Sequence, residues 1–136
     1  MALFVGTGIM FCLIMSVRTM FSAVKKGTFL TFETIYLIVL VYISFLLGFA
    51  VLYLIFLQNG FLILMEAGKP VFGTYFENLF ACLYFSAVTL FSVGYGDITP
   101  VSIGRFIAVF EALIGYMLPT AVVAKTMIDI EKTPKL

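Results

Sequence analysis

Between positions 92 and 97 the chain reads Ser92-Val93-Gly94-Tyr95-Gly96-Asp97, with two glycines alternating with larger residues. Glycine takes positive φ without steric cost, so this run can alternate left- and right-handed backbone values and turn successive carbonyls to the same side. Several copies around an axis would stack those carbonyls into rings of oxygen. Such rings can replace the water shell of a monovalent cation. The chemistry within reach is the binding and passage of an ion, with no bond made or broken.

Composition removes most other chemistries. The 136 residues include no His, which excludes His-ligated zinc, bis-His haem and His general-base catalysis. Cys12 and Cys82 both lie inside apolar runs, so neither a disulfide framework nor a metal site is indicated. Eight Lys and Arg against seven Asp and Glu leave a net charge of +1, which gives no footprint for nucleic acid. The chain is 63% hydrophobic, 17% aromatic and only 11% charged, with a mean hydropathy of +1.20. A soluble domain is about half apolar and a quarter charged, so these values describe a membrane protein. No enzyme activity and no organic cofactor are expected.

The elements that must carry the run follow from charge and length. Residues 34–57 hold no charged residue and, at ~1.5 Å per residue, suffice to cross a hydrocarbon layer of ~30 Å as an outer helix. An inner helix is expected over 101–128, interrupted by Arg105, Glu111 and Lys125 and preceded by Pro100. The N-terminal run 2–17 is a third apolar helix, a little short for a span unless it continues past Arg18. An interfacial helix is the alternative there, while a signal peptide would need a basic residue ahead of the run. Arg18, Lys25 and Lys26 precede the outer helix and Lys125, Lys132 and Lys135 close or follow the inner one, so both groups belong in the cytoplasm, the C-terminus included. Everything from 58 to 100 then begins and ends outside. Asn59-Gly60, Gly68, Pro70 and Gly73 make 58–73 an exposed extracellular turret. Thr74 and Glu77 fit a capping box, and the apolar stretch 75–90 is roughly 24 Å long at ~1.5 Å per residue, too short to span. It reads as a re-entrant helix. The irregular piece after it is tolerated at membrane depth only where it is buried in protein or lines a watery path.

The run Thr89-Leu90-Phe91-Ser92-Val93-Gly94-Tyr95-Gly96-Asp97 resembles the T-x-x-T-V-G-Y-G-D signature of potassium channels, and the flanking helices resemble their two-helix pore module. The oxygen-ring mechanism is taken over with this resemblance, since the four-loop potassium filter is its known example. The resemblance covers 34 to about 128 and implies an all-α membrane protein of the small prokaryotic type, with outer helix, re-entrant pore helix, filter and inner helix. It implies a homotetramer in the lipid bilayer of the cell (plasma) membrane, conducting K⁺ passively. It also implies ion-coordinating carbonyls at Ser92, Val93, Gly94 and Tyr95, with the Ser92 hydroxyl completing the innermost site. Thr89, Gly96, Asp97 and Tyr84 would support the filter, and the Tyr95 ring would brace it against the neighbouring pore helix. Ser92 stands where Thr is usual, and Phe91 where many members carry a second Thr. Val88 replaces the glutamate that pairs with the filter aspartate in some members, so Asp97 needs another partner, and Tyr84 is the candidate.

Three divisions result: residues 1–33 as N-terminal helix and basic linker, 34–128 as pore domain, 129–136 as a short cytoplasmic tail. Glu111 would sit about 9 Å along the helix from Arg105 at ~1.5 Å per residue, which favours a structural hydrogen bond to the pore helix over gating or pH sensing. Arg105 is expected to snorkel to the outer interface. Gly115 and Pro119 interrupt the inner helix, where family members often carry a hinge glycine; close helix packing is the alternative reading of both. Val123 and Met127 are apolar candidates for a constriction below them. No arginine recurs at every third position as in a voltage-sensing helix, and in a longer parent protein such a sensing or regulatory region would lie outside these residues. A weakly selective cation channel on the same fold and a non-conducting membrane adaptor are the rival functions.

Overall fold

The computed structural model describes residues 32–132 together with residues 14, 15 and 18, so the expected N-terminal helix falls almost wholly outside the described residues. Within residues 32–132 three helices follow one another: α1 (Phe32–Gln58), α2 (Tyr75–Leu90) and α3 (Gly104–Lys132). The first two match the expected outer and re-entrant helices closely. The third continues past Ile128 to Lys132, so the first part of the expected tail is helical. Among the described residues one stretch, Ile35–Gln58, is long and apolar enough to cross a membrane.

α1 stops where its carbonyls find other donors. The N–H of Gly60 bonds Leu57 O at 3.0 Å and that of Phe61 bonds Phe56 O at 3.1 Å, with Gly60 at φ 80°. This is a Schellman closure, and the Phe56 and Phe61 rings supply its apolar contact edge to face, centroids 5.7 Å apart.

α2 lies between α1 and α3, which touch each other little. Val41, Phe45, Phe49 and Tyr53 recur every fourth residue on α1 and, with Ala50, Leu54 and Leu57, bury one stripe against Cys82, Phe85 and Leu90 of α2. Lipid tails are as apolar as these side chains, so the gain inside a bilayer comes from close packing and from polar contacts between helices. The central contact is polar. Glu111 of α3 is fully buried; its Oε2 accepts from the Tyr53 hydroxyl at 2.8 Å and its Oε1 from the Ser86 hydroxyl at 2.5 Å. One carboxylate thus ties α1, α2 and α3 together. The Ser86 hydroxyl also lies 3.0 Å from the Leu46 carbonyl of α1.

The all-α expectation needs a correction. The turret folds into a hairpin, β1 (Leu64–Glu66) and β2 (Lys69–Pro70), and a third strand, β3 (Ile98–Pro100), pairs antiparallel with β1 to give the order β2-β1-β3. The register sets Leu64 opposite Pro100, Met65 opposite Thr99 and Glu66 opposite Ile98. The two-residue turn Ala67-Gly68 has φ 47° and 78°, as a primed turn requires. Alanine in place of the usual Asn, Asp or Gly hides that turn in the sequence.

Replacing Glu111 tests the three-helix tie. Glu111→Gln keeps a carbonyl for Tyr53 and an amide N–H for Ser86, whose hydrogen then goes to Leu46, so thermal stability in detergent should change by under about 1 kcal/mol. Glu111→Leu strands the Tyr53 hydroxyl and should cost about 1–3 kcal/mol. Equal midpoints for the two variants would refute the bridging role.

Candidate functional site

α2 is fixed at its start by the expected capping box. The Thr74 N–H donates to Glu77 Oε2 at 2.7 Å and the Glu77 N–H to Thr74 Oγ1 at 3.5 Å. The Thr74 backbone bond, and after it the Thr74 hydroxyl, hold the Glu77 carboxyl below the usual carboxylate range.

At its other end α2 hands its free carbonyls to the run that follows. The Phe91 N–H bonds Ala87 O, the Ser92 N–H bonds Thr89 O, and the N–H groups of Val93 and Gly94 both bond Val88 O, at 2.8 and 3.1 Å. The Val88 side chain offers Asp97 nothing, but its carbonyl seats the base of the run. Beyond it Ser92, Gly94 and Gly96 take φ of 56°, 57° and 79°, while Val93 and Tyr95 between them do not. The backbone therefore alternates as the two glycines suggested, starting two residues before the first of them. Ser92 adopts the left-handed region at a cost of about 1–2 kcal/mol, which its type does not announce.

On its outer side the run is tied twice at Asp97. The Tyr84 hydroxyl of α2 donates to Asp97 Oδ2 at 2.7 Å, and the Ala67 N–H at the hairpin tip donates to Asp97 O at 3.3 Å. The Tyr84 hydrogen bond holds the Asp97 carboxyl below its ordinary value. Sequence reasoning found Tyr84. It missed Ala67, because the partner is a backbone group on a turn it did not recognise.

The run closes one side of a groove of about 600 Å³ lined by Val88, Thr89, Ser92, Gly94 and Gly96, with Ala108, Val109 and Ala112 of α3 opposite. Val93 and Tyr95 project from the single chain, Tyr95 being 72% exposed. Arg105 donates through Nε to Pro100 O at 3.3 Å, an anchor at the head of α3. Lower on α3, a Cβ at Gly115 would collide with the Leu90 carbonyl, so the glycine allows α3 to lie against the end of α2. This is the close-packing reading of Gly115. Pro119 lies inside α3, and Val123 is exposed beyond it. The Met127 side chain lies outside the described residues. Among the described residues no three His, Cys, Asp or Glu side chains gather as a metal site would require.

Comparison with known proteins gives a consistent picture. A family model described as "Ion channel" matches residues 1–132. The protein named Protein LctB of Geobacillus stearothermophilus is 38% identical over 118 residues, which cover 86% of this chain and 88% of that protein. The protein of the same name in Bacillus caldotenax is 39% identical over 100 residues, 74% of this chain and 75% of its own length. No solved structure matches.

The Asp97 contact has a pH signature. A carboxylate whose folded value is depressed contributes its stabilisation above the ordinary carboxylate value and loses it as pH falls through the folded value. Tyr84→Phe removes the leading cause of the depression, so Asp97 should titrate at higher pH than in the parent protein. Carboxyl-carbon NMR of the two proteins measures this, and superimposable Asp97 titrations would show that the hydroxyl does not stabilise the charge.

Proposed function

The chain belongs to the ion channel family, and we propose that it is a potassium-selective member, a homotetramer whose four Ser92–Tyr95 segments line one axial filter. The observation that carries this reading is the alternating backbone at Ser92, Gly94 and Gly96 in a Val-Gly-Tyr-Gly-Asp run, seated on the end of a helix too short to span. Carbonyls of Ser92, Val93, Gly94 and Tyr95 would replace the water of K⁺, and the Ser92 hydroxyl would join the innermost ring. The permeant ion is then the only ligand, with no organic cofactor. Gly96 would serve the outer exit turn, and Thr89, Tyr84 and Asp97 would hold the run in place.

Residues 34–128 form the pore domain in this reading. The C-terminal end of α2 would face a central cavity, where a partial charge of roughly half an electron favours a waiting cation over an anion. Exposed Phe76 and Phe80 on α2, with Phe106, Phe110 and Tyr116 on α3, supply apolar surface for neighbouring copies and lipid. The basic residues flanking the pore domain would put the linker with Arg18, Lys25 and Lys26, and the C-terminus, in the cytoplasm of a cell-membrane protein. Closure would occur below Pro119, with Val123 and Met127 narrowing the path until it dewets.

Flux of K⁺ against Na⁺ from purified protein in liposomes tests the central statement. Reversal potentials near the K⁺ equilibrium value are expected; equal permeation of Na⁺ would replace it with a weakly selective channel, and no flux of either ion with a non-conducting adaptor. Within a conducting protein, Ser92→Ala should weaken internal barium block and lower conductance more than it alters K⁺ over Na⁺ preference. Unchanged block and conductance would remove the hydroxyl from the ion site. Cysteines at Val123 and Met127 should react faster with aqueous reagents in open channels than in closed ones, and equal rates would move the gate elsewhere.

A further inference from the structure

In a regular helix the carbonyl of residue 115 accepts from the N–H of residue 119. Pro119 has no N–H, and its ring crowds that same carbonyl. The Gly115 oxygen is therefore deprived of its usual donor in a stretch of α3 where lipid has none to offer. The hydroxyl of Tyr42, on α1, donates to this oxygen at 3.0 Å. One turn on, the Thr120 hydroxyl donates back to Tyr116 O at 2.8 Å, a contact that bends helices. The Tyr42 ring has a second contact. It stacks on Phe91, centroids 5.5 Å apart and planes 14° from parallel. Phe91 caps α2 and directly precedes Ser92. One side chain of α1 thus touches α3 where its hydrogen-bond ladder is interrupted and the residue from which the filter run departs.

We propose that Tyr42 is a latch between the proline break of α3 and the base of the filter, its hydroxyl replacing the donor that Pro119 lacks and its ring carrying the position of that break to Phe91. This rests on the channel reading and goes beyond it. Tyr42 touches neither the ion nor a filter oxygen, so it is a positioning residue. Bending of α3 at Gly115 breaks or keeps the Tyr42 bond, and with it the stacking that backs Phe91 and Ser92.

The test is a double-mutant cycle in which position 119 decides whether the Tyr42 hydroxyl matters. Tyr42→Phe keeps the ring and removes the donor. Pro119→Ala supplies the missing N–H from within α3, and Pro119→Leu provides a second such background. Thermal midpoints in detergent, open-state occupancy and internal barium block are measured for the parent, both single variants and the double variant. Tyr42→Phe should lower the midpoint and shift the open-to-closed ratio about fivefold with Pro119 present, and change neither once Pro119→Ala or Pro119→Leu is in place. Phe91→Leu should leave the midpoint coupling intact and abolish the effect of Tyr42→Phe on barium block. Equal effects of Tyr42→Phe in the parent and in the Pro119→Ala background, or none in either, would overturn the latch. Persistence of the barium effect in Phe91→Leu would overturn its route to the filter. If the parent passes no K⁺, the channel reading fails by itself, while the midpoint cycle still decides the latch.

Discussion

A carboxylate buried among apolar helices must be met by donors, and that requirement organises this chain. Removing a charge from water costs several kcal/mol unless hydrogen bonds replace the lost hydration. Glu111 is met by Tyr53 and Ser86, from the two helices that precede its own in the chain. Both bonds are directional and short, so they fix the depth and the rotation of α2 relative to α1 and α3. The run 92–97 departs from the end of α2, and its place follows from that depth. Phe85 adds an edge-to-face contact with the Tyr53 ring, centroids 5.1 Å apart, which holds the donor where the carboxylate needs it.

The run itself poses the opposite problem, since an irregular backbone has no ladder of its own. Its N–H groups are satisfied at one end by carbonyls the helix end leaves free, and its other end is held by the hairpin and Tyr84. The two ends differ in kind. The inner one is backbone on backbone and follows from helix termination alone. The outer one depends on a turn in which Ala67 and Gly68 both hold positive φ, and on one phenolic hydroxyl. Nothing lies within 4 Å of where a Cβ would stand at Gly94 or Gly96 in the single chain. Tyr95 and Val93 are exposed there as well, and surface of that kind at membrane depth calls for further copies of the chain around it, as in the proposed tetramer.

Much of this was legible in the sequence because the signals were local. The capping box at Thr74 and Glu77 is a spacing of three, the re-entrant helix is an apolar run of fixed length, and the glycines of the run declare their own φ. Tyr84 was reachable because Val88 left Asp97 without a partner. What stayed hidden depends on juxtaposition. Ser86 and Tyr53 carry no local mark of a shared carboxylate, because serine and tyrosine occur throughout membrane helices. The sheet was hidden by an alanine at a turn position that usually holds Asn, Asp or Gly, and by prolines at two strand ends, where the lost donor does not matter. Positive φ at Ser92 has no signal in residue type at all.

The inner helix is accordingly two different objects joined at Gly115. On its N-terminal side it is held by Arg105 on Pro100, by Glu111 on both other helices, and by a backbone approach to Leu90 that admits no side chain. On its C-terminal side the ladder loses a donor at Pro119. A helix so divided is weakest where its own hydrogen bonds are fewest, which is the turn between Gly115 and Pro119. In the proposed channel the tied half would lie beside the filter, where displacement of a fraction of an ångström would alter ion coordination. The other half would lie where a moving helix could change the width of the proposed path. Placing the buried carboxylate one turn before Gly115, and the proline one turn after it, would in that reading separate the part of the helix held against the run from the part free to move.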